Sequence, residues 1–222
     1  NSDEKTGFNG ICFKDSNGNI GFSFRGTDLK TFSSLKSDLL EDIRAFLTDN
    51  NQQVAQAQSL FNTYHSNTSQ NFLYGHSLGG FITEKILLQN HSRIANAFVI
   101  NPLHIDSTSL TSPSEIAPFK SAQKFSCFVI GGDYVSSINK PNRFSGNIHY
   151  VKNNGNYINN IVANHLIEAA EFDENGNFVT LPQQEAFKGY DFPPLEVASE
   201  FINEHPIKKF LKKIFFANEF LL

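Results

Sequence analysis

FLYGHSLGGF, residues 72–81, is a short apolar run that stops at a glycine and then sets Ser77 among further glycines. A serine hydroxyl is a weak nucleophile unless it is exposed, paired with a base and backed by donors for the oxyanion it creates. A sharp turn from a strand into a helix does the exposing. Such a turn strains the serine backbone, and side chains two positions before and two after it would collide, which accounts for Gly75 and Gly79. The helix that follows offers free N–H groups, so the Leu78 amide is the expected donor to the developing charge, and Gly80 is expected to let that helix close on the strand. Any G-x-S-x-G can arise by chance. The strand expected over 71–75 and the helix expected over about 78–89 are what point to Ser77 as a nucleophile rather than an incidental turn residue.

Outward from this turn, FNGICFK (8–14) and NIGFSFR (19–25) alternate in polarity around Asp15-Ser16-Asn17-Gly18, whose Asn-Gly pair predicts a hairpin. That loop and Asp173-Glu174-Asn175-Gly176-Asn177 faintly resemble calcium loops. The glycine falls at the fourth position and the twelfth-position Glu is missing, so both read as turns. Leu35, Leu39, Leu40, Ile43, Phe46 and Leu47 recur at helical spacing, as do Val54, Ala57, Leu60, Phe61 and Tyr64. AFVIN (97–101), FSCFVIG (125–131) and NIHYV (147–151) read as strands, 153–160 as an Asn-rich loop, and 157–171 as a helix. Strands separated by helical segments predict an α/β fold with a mostly parallel central sheet behind an N-terminal antiparallel hairpin. LPQQEAFKGYDFPP (181–194) breaks the pattern with three prolines and a glycine. It divides a domain over 1–181 from a linker and C-terminal helical appendage over 182–222.

With 222 residues, 40% of them hydrophobic, and 23 Phe, the chain can bury one sizeable core. A formal charge of −4 and the lack of a basic stripe with interleaved aromatics argue against a nucleic-acid partner. Cys12 and Cys127 each lie in an apolar run and read as two free buried thiols rather than a bridge. No apolar run is long enough to span a bilayer, and the chain starts at Asn1 without a Met. The expectation is a soluble chain, membrane-peripheral at most, with any targeting segment outside it. The membrane question centres on HPIKKFLKKIFFANEFLL (205–222), where Ile207, Phe210, Leu211, Ile214, Phe215 and Leu221 form one helical stripe opposite Lys208, Lys209, Lys212 and Lys213. Two readings stand for this helix: peripheral contact with an anionic membrane, or packing on the domain or on a second copy of the chain.

A nucleophilic serine also needs a base and an orienting acid, expected after it in the order Ser, acid, His at the ends of later strands. Asp133 follows FSCFVIGG directly, and Gly131-Gly132 give the tight bend that turns a carboxylate over the sheet edge. Asp106, five residues after AFVIN, ranks second. For the base, His165 follows the last strand on the apolar stripe of Ile158, Ile161, Val162, Leu166 and Ala169. A core histidine is the alternative there, and His149 and His104 compete for the role. His76, next to the nucleophile, should be aimed elsewhere by the strained turn.

GFSFRGTD (21–28), SDLLED (37–42), GHSLGG (75–80), Asn101-Pro102, GGDYVS (131–136) and His165-Leu166 together resemble, in order and spacing, the class 3 lipases, the fungal-lipase-like α/β-hydrolases. The resemblance covers about 8–180, and F-R-G-T ahead of the serine motif is its most specific part. It implies an α/β-hydrolase fold in which Ser77, Asp133 and His165 form a triad. The Thr27 amide then joins that of Leu78 in the oxyanion hole, with no metal or organic cofactor. The substrate class it implies is a lipid acyl ester. The same triad would serve a thioesterase or small-ester esterase, and the fold could also be a catalytically silent binding module. One departure from the family is that DLKTFSS (28–34) is short for a lid of the fungal kind.

Overall fold

A computed structural model of the chain describes residues 2–3, 6–26, 52–105, 110, 112–133, 135–137, 147–155 and 161–188. Five expectations lie outside these residues: the helix over 35–47, the short segment 28–34, Thr27, Asp106 and the C-terminal helix of 205–222.

Strands β2 (Phe8–Lys14), β3 (Ile20–Phe24), β4 (Asn71–His76), β5 (Asn96–Ile100), β6 (Phe125–Ile130), β7 (Ile148–Val151) and β8 (Thr180–Leu181) form one mixed sheet in strict chain order, extended by the two-residue β1 (Ser2–Asp3). β3 through β7 run parallel, while β2 and β8 pair antiparallel at either side. Among the described residues the α-helices are α1 (Gln52–Tyr64), α2 (Leu78–Asn90), α3 (Pro113–Lys120), α4 (Ile161–His165) and α5 (Gln183–Ala186). This is the mostly parallel α/β sheet with an N-terminal hairpin that the sequence predicts.

Both Asp-x-Asn-Gly-Asn loops are turns built the same way. Asp15 Oδ1 accepts the Asn17 and Asn19 amides at 2.9 and 2.8 Å, and Asp173 Oδ1 accepts those of Asn175 and Asn177 at 2.9 and 2.8 Å. Gly18 and Gly176 supply the positive φ each turn needs, 84° and 79°.

Because each parallel crossover steps the same way along the sheet, the right-handed rule sends the connecting helices to one face. α1 brings Val54, Ala57, Leu60 and Phe61 to that face, against Phe22, Phe24 and Leu73 of the sheet. Phe22 and Phe61 meet with ring centroids 5.1 Å apart. α2 is buried on nearly every side, consistent with its apolar run on the middle strands. On the opposite face, Ile130 and Val151 join Ala169 and Ala170 in a smaller cluster that also takes in Phe128 and Phe178. Among the described residues, no helix is long and apolar enough to cross a membrane.

One expectation is corrected. The helix read over 157–171 is only Ile161–His165 among the described residues, because Leu166 is extended (φ −80°, ψ 149°) and a separate short turn, Ile167–Ala169, follows. α3 was not anticipated, although Ser112-Pro113-Ser114-Glu115 carries its signal: a capping box with proline at the first helical position. Just past residue 181, Ala186 of α5 is buried and Phe187 packs edge-on against Tyr150 at 5.9 Å.

Within the main core lies a polar group apart from Ser77, Asp133 and His165. Glu84 of α2 accepts His104 Nδ1 at 2.7 Å on Oε1 and the Ile105 amide at 2.8 Å on Oε2, and Cys127 Sγ is 3.9 Å from His104 Nε2. Both the Glu84 and His104 side chains are fully buried. Burial, then the charges of Glu84 and Asp133, push the Cys127 thiol well above its ordinary range. That fits an inert structural thiol, and both cysteines are free. Removing one partner of such a pair strands the other in the core. Glu84→Ala is therefore expected to cost about 3–5 kcal/mol in urea unfolding, and the joint replacement of Glu84 and His104 by Leu to cost less than that single change.

Candidate active site

The register of the parallel strands brings their carboxyl ends into one row, with Phe24 beside Gly75, His76 beside Ile100, and Ile130 beside Val151. Ser77 follows this row directly after β4, and Asp133 follows it three residues after β6.

Ser77 stands between β4 and α2 with φ 59° and ψ −125°, a conformation that L side chains rarely adopt. The glycine spacing has a direct steric basis. A Cβ on Gly75 would lie 2.2 Å from the Gly79 carbonyl oxygen, and one on Gly79 would lie 2.0 Å from that of Phe24. Gly80 is needed for a different contact than expected: its neighbour is Pro102, 2.5 Å from where a Cβ would sit, so it admits the turn after β5 rather than the strand. The strained residue is tied on both sides. Its amide donates to the Ile100 carbonyl at 3.1 Å, and its own carbonyl accepts from Gly80, Phe81 and Leu103 at 2.9, 3.4 and 3.1 Å.

Leu78 opens α2, where a backbone N–H has no carbonyl one turn back. Gly26 passes directly over this point. A Cβ there would fall 2.8 Å from Ser77 Cβ and 3.4 Å from the Leu78 nitrogen, so the segment leading into Thr27 runs beside the Leu78 amide.

Asp133 reaches the same edge through Gly131-Gly132, with Gly132 at φ 82° and the Asp133 amide bonded back to the Ile130 carbonyl at 2.9 Å. Its buried carboxylate accepts the Val135 amide at 3.3 Å and the Ser136 amide at 3.0 Å, together with the Ser136 hydroxyl. The remaining contact is with His165, whose Nδ1 donates to Asp133 Oδ1 at 2.7 Å. A neutral ring that donates from Nδ1 keeps a lone pair on Nε2. His165 Nε2 is buried and has no hydrogen-bond partner.

His165 is the last residue of α4, not the middle of an apolar helical stripe. What fixes it are its backbone contacts. Its carbonyl accepts His76 Nε2 at 2.7 Å and Asn101 Nδ2 at 3.0 Å. The rings of His76 and His165 are 4.9 Å apart, so His76 lies against the candidate base. Asn101 is itself at positive φ, 44°, and its Oδ1 takes the Ile130 amide at 2.8 Å. Asn153 extends the support, donating to the Gly131 carbonyl at 2.8 Å and to Asn164 Oδ1 at 3.0 Å.

The competing histidines are elsewhere. His104 is in the Glu84 core group, and His149 is exposed on β7, stacked on Phe128 at 5.2 Å. The structure thus brings Asp133 and His165 together beside the Ser77 turn. It adds His76, Asn101 and Asn153, which no periodicity marks. Asn101 stands in the Asn101-Pro102 motif, and the Asn-rich composition of 153–160 takes in Asn153.

Two measurements on stability follow. Because glycine relieves a positive φ that alanine does not, Ser77→Gly is expected to be more stable than Ser77→Ala by about 1–2 kcal/mol in chemical denaturation. His76 concerns pH. Burial, and then the neighbouring His165, push it down to about 4. Above the ordinary histidine value of about 6.5, neither folded nor unfolded chain is protonated there and the full stability is present. Below it the unfolded chain takes up the proton first, so stability falls until the pH reaches the folded value. Between pH ~7.5 and ~5, His76 should account for a loss of about 2 kcal/mol that is missing in His76→Gln.

No protein-family model, curated protein or solved structure matches the chain, so the resemblance to class 3 lipases rests on its motifs alone.

Proposed function

We propose that the chain is a serine hydrolase of the α/β-hydrolase type that cleaves carboxylic esters, with lipid acyl esters as the substrate class. The observation that carries this reading is the set of groups at the sheet edge: a strained, glycine-flanked Ser77, and a His165 held by Asp133 at 2.7 Å with its other nitrogen unpartnered. The substrate class rests on the motif resemblance.

The chemistry follows from the proton positions. Ser77 Oγ attacks the ester carbonyl carbon as its proton passes to His165 Nε2, and Asp133 stabilises the imidazolium that forms. The oxyanion of the tetrahedral intermediate takes hydrogen bonds from the Leu78 amide and, by resemblance, from that of Thr27. On collapse, His165 returns the proton to the leaving alkoxide and an acyl group remains on Ser77. Water then attacks the acyl-enzyme with His165 again as base, releasing the carboxylic acid and the free serine.

Reaction with a fluorophosphonate probe, followed by turnover of p-nitrophenyl esters, acyl thioesters, triglycerides and phospholipids, tests the reading. Labelling confined to Ser77 with turnover of at least one oxygen ester supports it. Thioester turnover alone moves the substrate class, and neither labelling nor turnover leaves a silent binding module. Ser77→Ala and His165→Ala are each expected to lose several orders of magnitude in turnover, since triad members act as a unit. Asp133→Asn is expected to lose on the order of 10³ to 10⁴ through the wrong histidine tautomer. Ser77→Ala activity within about tenfold of the parent would overturn the assignment.

A further inference from the structure

His76 precedes the nucleophile, yet its ring serves the base. Its Nε2 lies 2.7 Å from the His165 carbonyl, and since that partner can only accept, Nε2 carries the proton and Nδ1 the lone pair of a neutral imidazole. The same carbonyl takes the Asn101 amide at 3.0 Å. These two donors come from the residue ending β4 and the residue following β5, so they tie the backbone of His165 to the turn that aims Ser77. Through its Oδ1, Asn101 also reaches Ile130, the end of the strand that leads to Asp133.

We propose that His76 is a positioning residue for the base: its Nε2–H, together with the Asn101 amide, fixes the His165 main-chain carbonyl and thereby the ring that takes the proton from Ser77. This rests on the hydrolase reading. The Asp133 contact alone fixes one ring nitrogen and leaves the His165 backbone free to slide, which would carry Nε2 away from the serine. Misplacement by about 1 Å costs roughly 10²-fold in rate.

The tilted stacking of the two rings, 34° apart, also requires His76 to stay uncharged, because His165 becomes a cation during the reaction. The charged or titratable groups acting on His76 are His165, Asp133 and Glu168: burial and His165 favour the neutral ring, and together they outweigh Asp133, Glu168 and the bond to the His165 carbonyl.

Two substitutions separate a donor from a packing ring. Gln sets an amide N–H the same number of bonds from the backbone as Nε2, whereas Phe keeps a ring and removes the donor. On a p-nitrophenyl ester, His76→Phe should lower kcat by on the order of 10²-fold with KM within about twofold, and His76→Gln should recover most of that loss. Higher turnover in Phe than in Gln overturns the proposal and makes the contact one of packing. If His76→Phe does not fold, His76→Leu takes its place in the comparison.

A parent protein that neither reacts with fluorophosphonate nor hydrolyses any ester removes the hydrolase reading and not the positioning. The far-downfield NMR resonance of the His165 Nδ1 proton then decides. Loss of that signal in the donor-less variant, with retention in His76→Gln, upholds the role. Equal retention in both refutes it.

Discussion

A serine at φ 59° sits in a conformation that costs on the order of 1–3 kcal/mol, and it persists only where its surroundings leave it no alternative. The surroundings here are mostly backbone. The Ser77 amide and carbonyl are bonded into the turn after β5 and the first turn of α2, and α2 is pressed so close to β3 that the Phe24 carbonyl occupies the space a Gly79 side chain would fill. A helix seated that deep cannot keep a polar side, which is why α2 is buried nearly all round. One carboxylate on it, Glu84, can remain only because His104 and the Ile105 amide meet it inside the core.

The parts of this arrangement that were legible in the sequence are those governed by local sterics. Each glycine of GHSLGG answers one contact, and Gly131-Gly132 mark the bend that delivers Asp133. The hairpin and the parallel strands follow from period-two alternation and turn chemistry. The seating of His165 was not legible in the same way. Its apolar neighbours suggested a long helix, but the residue is held by partners 32, 64 and 89 positions away, through a carboxylate, an amide and an imidazole. No periodicity encodes such contacts. The contact of His76 with His165 was not legible for a related reason: it joins residues 89 positions apart. The missed α3 is a different case, because its capping box was readable at Ser112 and Glu115 while Pro118 in its interior obscured the helix.

Where the parallel ladder ends, the amide and carbonyl groups of successive strands lose their partners, and asparagines take over. An amide side chain both donates and accepts, so Asn101 can receive the Ile130 N–H and still donate to the His165 carbonyl. Asn153 in the same way joins the Gly131 carbonyl to Asn164. An aspartate at either position could not donate, and a lysine could not accept. These side chains continue the sheet's hydrogen bonding past its own edge, so the position of His165 is set by strand register as much as by the loop that carries it. Changing the register of β5 against β6 would separate Asn101 from Ile130 and carry the His165 carbonyl with it, without altering any residue that touches a substrate. The chemistry proposed for this site therefore depends on pairings in the middle of the sheet, and the residues that transmit that dependence are His76 and Asn101.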